Sequence, residues 1–240
     1  MKLILSLWTI FLMFTGVFSS STADDRPIAI IRRAKPDLWI KHGKGEWKAP
    51  SVAEQLFSGD SVKTGAEGYA AIQFMDNSLV KIKPNSILAI MGEVRGKDNA
   101  STRLAVQVGE VFLNVTKQKS DFEVGTPSAV AAVKGSKAQV GVDQQQTTVV
   151  EALEGVWEVT STVTGVSAKF TRGQKATVQK SSGEIKREKM TASQMQQTSN
   201  SYNNLDKKSR PKTMKLRFSN KDGSVQEVEV EYFEANSTGN

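Results

Sequence analysis

The stretch "GYAAIQFMDNSLVKIKP" (residues 68–84) decides the fold class. Ala70, Ile72 and Phe74 share one side of its first half, "MDNS" supplies a turn, and Val80 and Ile82 then alternate with Lys81 and Lys83. A period of two with one polar side is the pattern of a hairpin with a dry face and a wet face. Outward from it, between Trp39 and Val178, short alternating runs recur: "RLAVQV", "GEVFLNV", "DFEV", "AQVGV", "TTVVEAL", "GVWEVTS" and "KATVQ". Gly, Asp, Asn and Pro separate them, the spacing expected of an all-β domain. No segment in this region sustains a period near 3.6, so long helices are not expected. "GEVFLNV" at Gly109 and "GVWEVTS" at Gly155 echo one another, each opening on a glycine suited to positive φ. Short strands turning at such corners predict a solenoid-like or rolled β-sandwich rather than a flat sheet.

Length and composition bound the rest. The 240 residues, 38% apolar, can hold one domain with appendages or two small ones. Residues 1–23 read as a secretory signal peptide: Lys2, an apolar run from Leu3 to Phe18, and small residues before a cut after Ala23. The alternative is an uncleaved N-terminal membrane anchor, but the run falls short of the roughly 20 residues of a spanning helix, which favours cleavage. No other apolar stretch approaches that length, so no membrane span is expected once it is removed. There is no cysteine, which excludes disulfides and thiolate chemistry and suits a bacterial periplasm. A periplasmic or secreted location follows as the expectation. The formal charge of +7 falls to +6 without Lys2, and the excess gathers in "KREKM" and "DKKSRPKTMKLR". Export argues against nucleic acid as the partner of that charge and leaves anionic envelope surfaces or acidic proteins.

Residues 24–35 read as a lead-in and 36–180 as the β domain. The stretch 181–211 is rich in Ser, Asn, Gln and Lys and predicts a polar basic linker, with at most a short helix over 191–197. Residues 212–240 return to strand pattern as a C-terminal hairpin and tail. A three-residue loop at 221–223 would pair Phe218 with Gln226, Leu216 with Val228 and Met214 with Val230 on one face. The other face would then pair Arg217 with Glu227 and Lys215 with Glu229, opposite charges that favour this register. A lone hairpin is marginal in water, so it is expected to dock on the main domain or on a partner's sheet edge.

Enzyme signatures are missing from the residues. His42, in "IKHGKGEW", is the single histidine and reads as a surface loop residue. One histidine and no cysteine cannot build the usual triads or zinc sites from this chain alone. No phosphate-binding or dinucleotide glycine motif is present, and neither a cofactor nor a metal is expected. Trp157 alternates with Val159 and reads as core. Trp39 and Trp47 bracket the glycine-rich turn and are candidates for stacking on a glycan. The small residues of "TPSAVAAVKGSKAQV" (126–140) predict a tightly packed corner, with Pro127 holding Thr126 extended, Gly135 turning, and Ala138, Val140 and Val142 facing inward.

Taken in order, these residues resemble the FecR domain over roughly 36–180. The matching elements are Leu56, Gly59, Asp60 and Thr64; Asp76 to Ser78; Pro84, Asn85 and Ser86; Gly109 and Val111; Thr126 and Pro127; and Gly135 with Ser136, a serine where threonine is usual. The resemblance implies an all-β, solenoid-like or rolled periplasmic domain without enzymatic activity. FecR itself is a transmembrane regulator passing a signal from an outer-membrane transporter to a sigma factor. This sequence shows no cytoplasmic sigma-factor-binding segment, so direct sigma-factor control is not carried over. The expected function is non-enzymatic binding of another envelope protein, in signalling or envelope assembly. The alternative is a structural module that binds peptidoglycan or another anionic polysaccharide.

Overall fold

A computed structural model describes residues 26–232 apart from 52, 96–98, 117–121, 134, 205–211 and 220–223. The expected signal peptide, 1–23, and the hairpin loop at 221–223 lie outside the described residues. Strands β1 (Ala29–Lys35), β2 (Leu38–Lys41), β3 (Gln55–Leu56), β4 (Ser61–Thr64), β5 (Tyr69–Phe74), β6 (Leu79–Ile82), β7 (Ile87–Arg95) and β8 (Asn99–Val115) come first. Next are β9 (Phe122–Gly125), β10 (Ala129–Val133), β11 (Ser136–Val142), β12 (Thr148–Ala152), β13 (Val156–Ser161), β14 (Ser167–Thr171), β15 (Gln174–Val178) and β16 (Ile185–Lys189). Helix α1 (Ala192–Asn204) and the ribbon β17 (Lys212–Ser219) and β18 (Val225–Tyr232) complete the chain. The protein is all-β, as its alternation predicts.

The strands form two sheets joined through β8. The first runs β3-β1-β5-β6-β8-β11-β12-β15-β16 and the second β2-β4-β7-β8-β9-β10-β13-β14. The pair β8·β9 is parallel, and the other pairs are antiparallel. Hairpins alternate between sheets: β5-β6 in the first, β9-β10 in the second, then β11-β12, β13-β14 and β15-β16 in turn. The chain thus rolls around one core. Phe74 of the first sheet meets Phe122 of the second edge-to-face, with ring centroids 5.6 Å apart, across that core.

Strand β8 shows how the roll is made. Leu104 and Val106 point into the core from its first half, and Val111, Leu113 and Val115 from its second, so the inward phase changes at Gly109. Its first half pairs with β7 and its second with β6 and β11. What the sequence suggests as two strands is one strand that leaves one sheet and enters the other.

Two segments depart from the sequence expectation. Residues 24–35 are more than a lead-in, because Ala29 and Ile31 of β1 are buried in the core and β1 pairs with β5 along its length. Within 181–211, expected as a linker, β16 pairs with β15 and α1 docks on the first sheet. Composition misleads here because polar contacts do the docking. Thr191 caps the helix: its hydroxyl accepts from Gln194 N–H (3.2 Å), while the Gln194 side chain accepts from Thr191 N–H (2.8 Å). Thr198 donates to Glu151 (2.9 Å), and Tyr202 stacks on Phe112 with centroids 3.9 Å apart. The Lys81 ammonium lies 3.7 Å from the Tyr202 ring and donates to its carbonyl, so a lysine on the expected wet face is buried.

The terminal ribbon adopts the predicted register, pairing Phe218 with Gln226, Leu216 with Val228 and Arg217 with Glu227. Val228 and Val230 pack on Ile30 of β1, flanked by Leu216, Phe218 and Ala53. Arg32 Nε fastens the ribbon by donating to the Glu229 carbonyl at 2.8 Å. Of the two outcomes expected for the hairpin, the structure has it docked on its own domain.

Candidate functional site

The motif residues converge on the corners where the chain changes sheet. Thr64 donates through Oγ1 to the Lys83 carbonyl (2.7 Å) and accepts from Ser86 N–H (3.0 Å). Between them, Pro84 precedes Asn85, which takes φ 57° and donates its N–H to the Gly65 carbonyl. Ser86 Oγ in turn accepts from Glu110 N–H at 3.0 Å, beside Gly109. The Thr64, Pro84–Ser86 and Gly109 motifs are therefore parts of one interlocked corner. Asp76 bonds Ser78 through backbone and hydroxyl (2.8 and 3.0 Å), closing the β5-β6 turn. Burial pushes the Asp76 carboxyl up, more than those two bonds lower it.

At the opposite corner a chain of hydroxyls crosses between the sheets. Thr126 Oγ1 and Ser128 Oγ each lie 2.6 Å from Thr148 Oγ1, and Ser128 also donates to the Val178 carbonyl. The Pro127 carbonyl accepts from Thr162 and Lys180. Ala129 and Ala131, which follow it in β10, are buried in the core. Gly135 has φ 67°, and Ser136 donates its hydroxyl to the Glu154 carbonyl, a bond that threonine would also make.

Chemistry-bearing side chains gather at the β2–β4 end. Gly59, at φ 95°, places Asp60 at the start of β4. Asp60 is 2% exposed and accepts from Phe57 N–H (2.8 Å), Gly43 N–H (3.2 Å) and His42 Nδ1 (2.7 Å). His42 Nε2 lies 3.0 Å from Glu54, which also accepts from Ser51 N–H (2.7 Å) and Lys48 Nζ (3.3 Å). His42, expected as a surface loop residue, lies in a loop with its side chain 34% exposed, but its ring is clamped between two carboxylates. The signal that could have found this is the Gly-Asp motif, whose acid needs a partner across the sheet.

A neutral imidazole has one N–H donor, so donating to both carboxylates requires the imidazolium. Burial disfavours that charged form, but the hydrogen bonds to Glu54 and Asp60 outweigh it and hold His42 above its ordinary 6.5. Burial likewise pushes Glu54 up, but its bonds from His42 and Ser51 leave it below its ordinary 4.5. The His42 contribution to stability is therefore complete below pH 6.5 and lost as pH rises through its higher folded value. The Glu54 contribution is complete above pH 4.5 and lost as pH falls through its lower folded value. Thermal melting should thus show a higher Tm near pH 5.5 than near pH 8, by an increment absent from His42→Gln. An equal increment in both proteins would contradict the clamp.

Beside this clamp lie the two candidate tryptophans. Trp39 of β2 is half-buried, with Lys63 Nζ 5.5 Å from its ring centroid. Trp47 is 39% exposed, with Lys41 Nζ at 5.2 Å. Trp157, by contrast, is fully buried in the core. Among the described residues, no group of three His, Asp or Glu side chains is placed to hold a metal. Among them, too, no helix is long and apolar enough to cross a membrane.

The class defined by these features is an all-β roll whose sequence motifs lock the crossings between two sheets. Within it, the family model described as FecR protein matches residues 60–157, 98 of the 240, from Asp60 to Trp157. The FecR resemblance of the motifs thus stands over that span, β4 to the start of β13. Two crystal structures, at 1.65 and 2.50 Å, of a protein provisionally described as an anti-sigma factor from Parabacteroides distasonis ATCC 8503 are similar to this chain. Each is 19% identical with a TM-score of 0.47, and the match covers 55% of this chain and 60% of that one. This chain therefore spans about three-fifths of those solved chains. No curated protein sequence matches it.

Proposed function

We propose that this chain is a non-enzymatic FecR-type binding module, periplasmic or secreted, that engages another protein of the cell envelope in signalling. The observation that carries this reading is the FecR match across 60–157. The difference between the two outer faces supports it. On the first sheet, α1 covers Lys81, Phe112 and Glu151, and the ribbon covers Ile30. On the second sheet Ile87, Ala89 and Met91 of β7, Ala105 of β8 and Val130 and Ala132 of β10 alternate with the buried core residues. Their side chains are half-buried or exposed, and none of them belongs to the buried core clusters. Ala89, Ala105, Gly125 and Val130 form one small-residue row across four strands, and in the next row the Arg103–Glu123 ion pair stands between Met91 and Ala132. Such a mix of apolar and polar side chains is the usual form of a protein contact surface. The test is photo-crosslinking in the native envelope from position 105. A discrete protein adduct is expected, and a chain free of adducts refutes the reading.

A further inference from the structure

The end of the second sheet carries a pattern of its own. In the antiparallel pair β2·β4, Trp39 stands opposite Lys63 and Lys41 opposite Ser61. On the other side of β2, Ile40 bridges Lys48, which brings Trp47 beside Lys41. Trp47 and Lys41 thus lie in one cross-strand row and Trp39 and Lys63 in the next on the same face. Steps within a strand are about 6.6 to 6.8 Å for two residues, and neighbouring strands are about 4.8 Å apart. Among the described residues, the contacts of the Lys41 and Lys63 ammonium groups are with indole rings, not with carboxylates.

We infer that Trp39, Lys41, Trp47 and Lys63 form a binding site for an acidic polysaccharide, one whose sugar rings carry carboxylates. Charge recognition alone has no need of two indoles, and stacking of a neutral sugar has no need of a lysine beside each indole. A repeat that offers an apolar ring face and an anion together satisfies both. The ring face stacks on the indole, and the carboxylate takes the ammonium from its weaker cation–π contact. The loop bearing Trp47 is already fixed at both ends. His42 and Gly43 are tied to Asp60, and Lys48 exchanges backbone hydrogen bonds of 2.8 and 2.9 Å with Ile40. Little ordering is left for the ligand to impose. The local cations Lys41, Lys44, Lys48 and Lys63 favour the approach of a polyanion.

This site adjoins the protein contact proposed above, since Lys63 stands between Trp39 and Ile87 in one cross-strand row, but it does not rest on that reading. The test uses the full chain in affinity electrophoresis and calorimetry with polygalacturonate, with neutral dextran and polyglutamate as comparison polymers. Polygalacturonate should bind, dextran should not, and Trp39→Ala and Trp47→Ala should each weaken binding about five-fold, the size of one stacking contact. Lys41→Gln and Lys63→Gln, at surface positions that leave the Tm unchanged, should weaken binding similarly and flatten its salt dependence. Trp47→Tyr should retain most of the affinity. Absence of polygalacturonate binding at low salt would overturn the inference, as would binding indifferent to both tryptophan variants. Polyglutamate binding with the same dependence on tryptophan would overturn it in favour of an acidic protein segment.

Discussion

Gly109→Ala should destabilise the protein by about 2 to 5 kcal/mol, the sum of two local costs. Gly109 holds φ 97° at the point where β8 passes from one sheet to the other. A side chain in a left-handed conformation costs roughly 1 to 2 kcal/mol. A Cβ built there would also lie within 2.5 Å of Ser86 Cα, a backbone atom in the corner fixed by Thr64. Relieving such overpacking costs about 1 to 3 kcal/mol. Because the obstruction includes backbone, Ser86→Gly should not rescue the variant fully. Against a total stability of about 5 to 15 kcal/mol for a domain this loss is large. Chemical denaturation measures it, and a change below about 1 kcal/mol would show that the crossing does not depend on this glycine.

Trp157→Ala should cost about 3 to 5 kcal/mol, the range for deleting a buried aromatic side chain. Trp157 lies on β13 with no exposed surface, opposite Val133 on one side and Phe170 on the other. Phe170 is itself roofed by Arg187 of β16, whose guanidinium lies 4.8 Å from the ring and donates to the Lys169 carbonyl. One wall of a cavity at 157, Phe170, is therefore held from outside the core, which limits its collapse. The Trp157 Nε1 proton is buried without a partner among the described residues. Trp157→Phe removes that unsatisfied donor along with part of the volume, so its cost should be well below that of alanine. Equal losses for Phe and Ala would contradict this account of the site.

The sequence was most legible where pattern and chemistry agree locally. Alternation located the β5-β6 hairpin, with Ala70, Ile72 and Phe74 inward, and charge pairing selected the β17-β18 register. Gly109 and Gly155 were legible as corners. Their serine partners were not, although a Cβ at Gly155 would lie 2.8 Å from that of Ser136, repeating the Ser86–Gly109 contact. About twenty residues separate each serine from its glycine, beyond the reach of local pattern. The docking of α1 was hidden for a different reason. Its sequence is polar, and the anchors Thr198 and Tyr202 find partners, Glu151 and Phe112, that only the fold brings near. The His42 clamp was hidden likewise, because Glu54 and Asp60 approach the ring from two segments. For the candidate surface, the sequence singled out Trp39 and Trp47, and the β2·β4 register supplied Lys41 and Lys63.

On the function proposed above, the outer face of the second sheet is the side on which this module meets its protein partner. Photo-crosslinking residues at Ala105 and Ala132 on that face, and at Gln197 on the exposed side of α1, test it in the native envelope. The account predicts one discrete protein adduct from 105 and 132 and none from 197. Adducts from 197 alone, or equally from all three positions, would contradict it.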